Sequence, residues 1–187
     1  NKKPLCPYNM GALSETTLQF DPGSRYAYSN LGYCILGAVI ERVTGQSYRD
    51  YVALEYHLEK YGIRFVDGPF LPDEVRYDFR FDAFYSEDYM RFFDFDAASS
   101  SAGLSGSARS LALLVRDLLG RGQPNLMSGV EMEGCDKQEL RRCYVYSFYR
   151  YRHSASGKIF LVQEGYLPGS SSVVFVSEHG EVLVILG

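Results

Sequence analysis

Tyr28 and Asn30, two side chains whose types could do chemistry, stand two positions apart at the entrance of an apolar run. A phenol can donate, accept or surrender a proton, and a carboxamide can hold it in place by hydrogen bonding. Between them, Ser29 is one of two residues, with Asn30, that can cap the free N–H groups of a starting helix. A free tyrosine titrates near 10, so a tyrosine base working near neutrality needs a shift of roughly three units, about 4 kcal/mol. Nearby cations could supply that stabilisation. Without them the expectation is a phenol whose hydroxyl is satisfied by Asn30 or by backbone.

Other reactive side chains form no recognisable pattern. His57, His153 and His179 sit in no ligand motif, and Cys6, Cys34, Cys135 and Cys143 lack metal-ligand spacing. The sequence therefore predicts no metal site and no cofactor. Cys34, on the apolar run, reads as a free buried thiol. A Cys135–Cys143 bridge is open. No Gly-x-Ser-x-Gly elbow is present, since Gly103-Leu-Ser105-Gly106 has the wrong spacing.

The elements that must hold Tyr28 and Asn30 are set by local signals. Asp21-Pro22-Gly23 is turn chemistry, with proline presetting φ and glycine accepting the conformation that follows. The next helix runs to about Thr44 and stops at Gly45. Its apolar residues (Cys34, Ile35, Leu36, Ala38, Val39, Ile40, Val43) lie on most sides, which predicts burial on more than one face. Ser47-Tyr-Arg-Asp50 reads as a capping box opening a helix to about Lys60, closed by Tyr61-Gly62. Met10 to Leu18 reads as a short helix. Ser107 to Gly120 is amphipathic, with Ala108, Leu111, Ala112, Val115, Leu118 and Leu119 as its stripe.

Val66 to Asp96 reads as a long aromatic connection. Between Asp67 and Asp96 it carries nine acidic residues and three arginines, a larger excess than the whole chain's −4. From Tyr144 onward the residues become aromatic and β-branched. Tyr144–Tyr151, Ile159–Val162, Ser172–Val176 and Val182–Leu186 read as strands. Short turns at 155–158 and 177–180 make the pairing antiparallel. Helices first and an antiparallel sheet last give an α+β class.

The chain has 187 residues with 46% hydrophobic and 22% charged content, enough for one domain with a sizeable core. A net charge of −4 without a basic stripe argues against nucleic acid as a partner. No run of about 18 apolar residues could cross a membrane as a helix. Both ends read as internal to a longer chain. Oligomeric state and compartment are not set by the sequence.

The stretch from Phe20 to Tyr51 resembles the second motif region of the serine β-lactamase and penicillin-binding-protein superfamily. It is closest to the class C β-lactamase, esterase and DD-peptidase-like branch, in which Tyr-x-Asn stands where class A enzymes have Ser-Asp-Asn. Leu71 to Tyr77 and Ser101 to Val115 resemble further segments of that branch. Gln163-Glu-Gly165-Tyr166-Leu-Pro-Gly-Ser-Ser-Ser172 resembles its third motif, "HxGxxPGxSS".

The resemblance implies helices on both faces of an antiparallel sheet and a site at their junction, within a single partial domain over 1–187. The helical part would be about 1–120 and the sheet part about 144–187. It implies catalytic roles for Tyr28 and Asn30, and substrate binding by Gln163, Gly165 and the N–H of Tyr166. The substrate would be a small-molecule or peptide-like amide or ester, cleaved through an acyl-enzyme. Members are often secreted or periplasmic.

Two departures stand out. No serine lies three residues before any lysine, so the Ser-x-x-Lys motif is absent and its family position falls upstream of Asn1. Gln163 replaces the third motif's cation. These leave two readings: a portion of a serine hydrolase, or a catalytically inactive β-lactamase-like binding or scaffold protein.

Overall fold

The computed structural model describes residues 6–67, 72–75, 93–122, 127, 140–167 and 170–187. The chain forms two compact units. One holds Asn1–Thr17 and Tyr28–Gly106, the other Leu18–Ala27 and Ser107–Gly187.

In the first unit, Met10–Glu15 is a short 3-10 helix where a longer helix to Leu18 was expected. Helix α1 (Asn30–Thr44) comes next, with Ser29 as its N-cap and Gly45 as a left-handed C-cap at φ 70°. Helix α2 (Tyr48–Glu55) opens on Ser47, whose Oγ accepts from the Asp50 N–H at 3.1 Å and donates to the Asp50 carboxylate at 2.7 Å. The expected run to Lys60 is cut at Glu55. His57 takes a left-handed φ of 50°, and a 3-10 turn, Leu58–Tyr61, completes the path. Two short strands, β1 (Arg64–Phe65) and β2 (Leu104–Ser105), pair antiparallel, an element the sequence did not suggest.

Helix α1 differs from expectation in its burial. Cys34 and Gly37 are buried, but Leu36, Val39 and Val43 are 57%, 50% and 80% exposed. They lie on one stripe at helical spacing. An all-apolar composition does not say which side a neighbour covers, and among the described residues only one face is packed.

The second unit is a five-stranded antiparallel sheet in the order β3-β4-β5-β6-β7. The strands are β3 (Leu140–Val145), β4 (Phe148–His153), β5 (Ile159–Leu167), β6 (Ser170–Ser177) and β7 (Val182–Leu186). The expected single strand Tyr144–Tyr151 is a hairpin. Tyr146 and Ser147, at φ 53° and 128°, make a two-residue turn without glycine or asparagine. Leu161, Val174 and Val176 share one sheet face with helix α3 (Ala108–Gly120), whose Val115, Leu111 and Leu119 close the core. Of Ser105 and Ser107, the two serines placed to cap this helix, Ser107 is the one that caps α3. No helix among the described residues is long and apolar enough to cross a membrane.

Cys34 is not a free thiol. It forms a disulfide with Cys6, Cα–Cα 6.1 Å, across 28 residues. Sequence spacing carried no signal for this pair, because Cys6 reaches α1 only through tertiary folding. Cys143 is also disulfide-bonded, and Cys135, its suggested partner, lies outside the described residues.

Candidate functional site

Tyr28 and Asn30 are brought together by the helix entrance. Ser29 has an extended backbone (φ −154°, ψ 106°), and its Oγ accepts from the Gly32 N–H at 3.0 Å. That extended residue places its two neighbours on one side. Tyr28 Oη donates to Asn30 Oδ1 at 2.8 Å. The tyrosine is 73% exposed, so the pair is presented to solvent rather than packed away. Of the two partners the sequence left open for the hydroxyl, the Asn30 side chain is the one adopted.

The chain reaches this corner through a tight turn. Ser24 N–H donates to Asp21 O at 3.1 Å and Ser24 Oγ to the same oxygen at 2.7 Å. Gly23 sits at φ 80°, where a side chain would be strained. Pro22 and Gly23 therefore do here what their types predict.

Gln163, Gly165 and Tyr166 all lie on β5, which extends five residues past its expected end at Val162. Pairing with β6 sustains it: Gln163 faces Val174, Gly165 faces Ser172 and Tyr166 faces Ser171. Gln163 Oε1 is buried without a hydrogen-bond partner, while Nε2 lies 3.4 Å from Glu164 O. An unsatisfied buried acceptor is costly and offers a place for an incoming donor. Gly165 is exposed, and a Cβ there would collide with Ser172 Oγ. The strand face is thus kept flat at this position, with the Ser172 hydroxyl beside it. Sequence reasoning gives Ser172 no place beyond the third motif; its register sets it opposite Gly165. Tyr166 is 72% exposed.

Among the described residues no group of three or more His, Cys, Asp or Glu could hold a metal ion. The first unit offers a phenol and a carboxamide at the helix entrance. The second offers a carboxamide, a serine hydroxyl and backbone N–H groups along β5. Each set can bind and orient a polar carbonyl compound, and neither contains a charge of its own.

Comparison with known proteins agrees with this fold. The Beta-lactamase family model matches residues 7–186. FimD of serogroup D from Dichelobacter nodosus, a protein named for fimbrial assembly, is 40% identical over 185 residues. The match covers 98% of this chain and 47% of FimD, so the chain spans about half the length of that relative. A penicillin-binding protein from Bacillus halodurans superposes with TM-score 0.66 at 18% identity, covering 98% of this chain and 59% of that one. The D-amino acid amidase of Ochrobactrum anthropi SV3 gives TM-score 0.63 at 17% identity, covering 92% and 53%. At these identities the two structures speak to the fold, an α+β arrangement of helices and antiparallel sheet.

Proposed function

The chain belongs to the β-lactamase family, and from that premise we propose that it carries the Tyr-x-Asn and third-motif portion of a serine hydrolase acting on an amide or ester. Residues 1–187 would form part of one catalytic domain. The nucleophilic serine and its lysine would come from a longer protein, as the relatives' greater length allows. The observation that carries the reading is the Tyr28 Oη–Asn30 Oδ1 bond, held ready at a capped helix entrance.

In this reading Tyr28 handles the proton moving between nucleophile and leaving group, and Asn30 orients the phenol and the substrate amide. Gly165 lets the substrate lie along β5, and the Tyr166 N–H helps hold the oxyanion. Gln163 can donate from Nε2 or accept at Oε1, but it cannot supply the positive charge a Lys or His would. The amidase neighbour supports an amide rather than an ester as the first substrate to try.

A second reading is favoured by the neutral Gln163 and by the FimD relatives: a non-catalytic family member that serves in assembly. A fluorophosphonate or fluorescent penicillin probe on the full natural protein separates the two. Hydrolysis predicts stoichiometric labelling of one serine outside this chain. No labelling at saturating probe would remove the hydrolase reading and leave assembly.

A further inference from the structure

We propose that the Cys6–Cys34 disulfide is a positioning crosslink for Tyr28 and Asn30. Cys34 lies four residues after Asn30, one helical turn on, so the two share a face of α1. Two further restraints on that first turn are local. Ser29 Oγ takes one N–H at 3.0 Å, and the Tyr33 N–H to Ser29 O distance is a long 3.5 Å. Tyr28, Asn30 and Leu31 are all exposed. Helix ends are prone to fray because their first N–H groups have no intrahelical partners, so a tertiary anchor counts for most there. The disulfide, with Cys6 6% and Cys34 9% exposed, is the buried anchor at this end.

The other end of the crosslink is itself fastened. Two residues past Cys6, Tyr8 Oη donates to the Asp94 carboxylate at 3.0 Å. Asp94 also accepts the Ala97 N–H at 2.9 Å, fixing the turn that leads to Ser99 and Ser100. Ser100 packs on Gly37, in the second turn of α1, so closely that any Cβ at Gly37 would overlap it. The path from Cys34 through Cys6, Tyr8, Asp94 and Ser100 returns to α1 at Gly37. The frame therefore closes on the helix that it holds.

The functional sense of this frame rests on reading Tyr28 and Asn30 as the site, but its test does not. Hydrogen exchange read by mass spectrometry on the Cys6→Ser/Cys34→Ser protein measures the frame directly. The amides of residues 32–35 should exchange about tenfold faster or more, while those of α2 and α3 keep their rates. No change at 32–35, or an equal acceleration everywhere, would overturn the proposal and leave the bridge as a general stabiliser. If the double variant does not fold, it is measured again in stabilising sulfate, which leaves the Cys143 disulfide intact. Failure to fold there as well would likewise assign the bridge to global stability. In the full natural protein, probe acylation of the serine should fall together with the exchange protection. A serine that never labels would remove the hydrolase and leave the exchange result standing.

Discussion

Arg49 offers the sharpest test of what holds the first unit together. Its guanidinium reaches four groups at once. Nη1 pairs with Asp67, Nη2 donates to Val66 O at 3.1 Å, Nε donates to Ser99 Oγ at 2.6 Å, and Nε lies 3.4 Å from Asp96. Its Cζ sits 5.1 Å from the Phe65 ring centroid. The Arg49 side chain is 18% exposed, while Asp67 and Asp96 are 81% and 71% exposed. Ion pairs to such exposed carboxylates contribute about 1 kcal/mol or less each. The buried end is different. Val66 and Ser99 are 7% and 8% exposed, and removing the donor strands the Val66 carbonyl at a cost of about 1–3 kcal/mol. Loss of the contact with Phe65 adds about 0.5–1 kcal/mol. Arg49→Met should therefore destabilise by about 2–4 kcal/mol, and Asp67→Asn by less than about 1. Urea unfolding followed by far-UV circular dichroism measures both, at low salt and again at high salt. The Arg49→Met loss should persist at high salt, because screening acts on exposed charges. Equal losses for the two variants, or an Arg49→Met effect abolished by salt, would refute the assignment to the buried end.

Two further predictions rest on single contacts. Gly37→Ala would ordinarily favour a helix by about 1 kcal/mol, but its Cβ would fall 2.7 Å from Ser100 Cβ and 2.8 Å from Ser100 Oγ. The expected result is a net loss of about 1–3 kcal/mol from overpacking. Adding Ser100→Gly should reverse the sign, which thermal melts of the single and double variants would show. Asp73 is held below its usual carboxylate range, chiefly by the hydrogen bond from Arg64 and then by its own backbone N–H. A lowered folded-state value means that its stabilising contribution is present above the ordinary aspartate range. It is lost as pH falls through the lowered value. In Arg64→Gln the Asp73 titration followed by carbon NMR should move upward; an unmoved midpoint would show that Arg64 is not the cause.

What the sequence made legible was local. Ser29, Ser47 and Ser107 cap the helices predicted after them, because a serine before an apolar run satisfies N–H groups two or three residues on. Gly45 and Gly62 end their segments in the left-handed region that favours glycine. Tyr28 and Asn30 meet because only one extended residue separates them. What stayed hidden depends on parts distant in sequence. The Cys6–Cys34 bond needs a 28-residue excursion to return on itself. The Tyr146–Ser147 turn has no turn residues to announce it, since Val145–Phe148 pairing imposes it. The end of α2 at Glu55 is set by the left-handed His57, a conformation its residue type does not advertise.

The extension of β5 shows how such distant constraints reach the proposed site. Along this strand Leu161, Gln163 and Gly165 alternate onto one face, and Val162, Glu164 and Tyr166 onto the other. Leu161 is 0% exposed, packed with Val174 and Val176 against α3. Two residues on, Gln163 is half-buried with its Oε1 shut away; two further, Gly165 is exposed. The same face thus passes from core to open surface within a few residues. A one-residue slip of β5 against β6 would move Leu161 out of the core, so core packing locks the register. It also fixes which carboxamide and which glycine a ligand would meet. This is why Gln163 matters more than its neutral side chain suggests. The position is specified by packing, so a ligand on this face meets the Gln163 carboxamide, with its buried oxygen, where a Lys or His would have brought a charge.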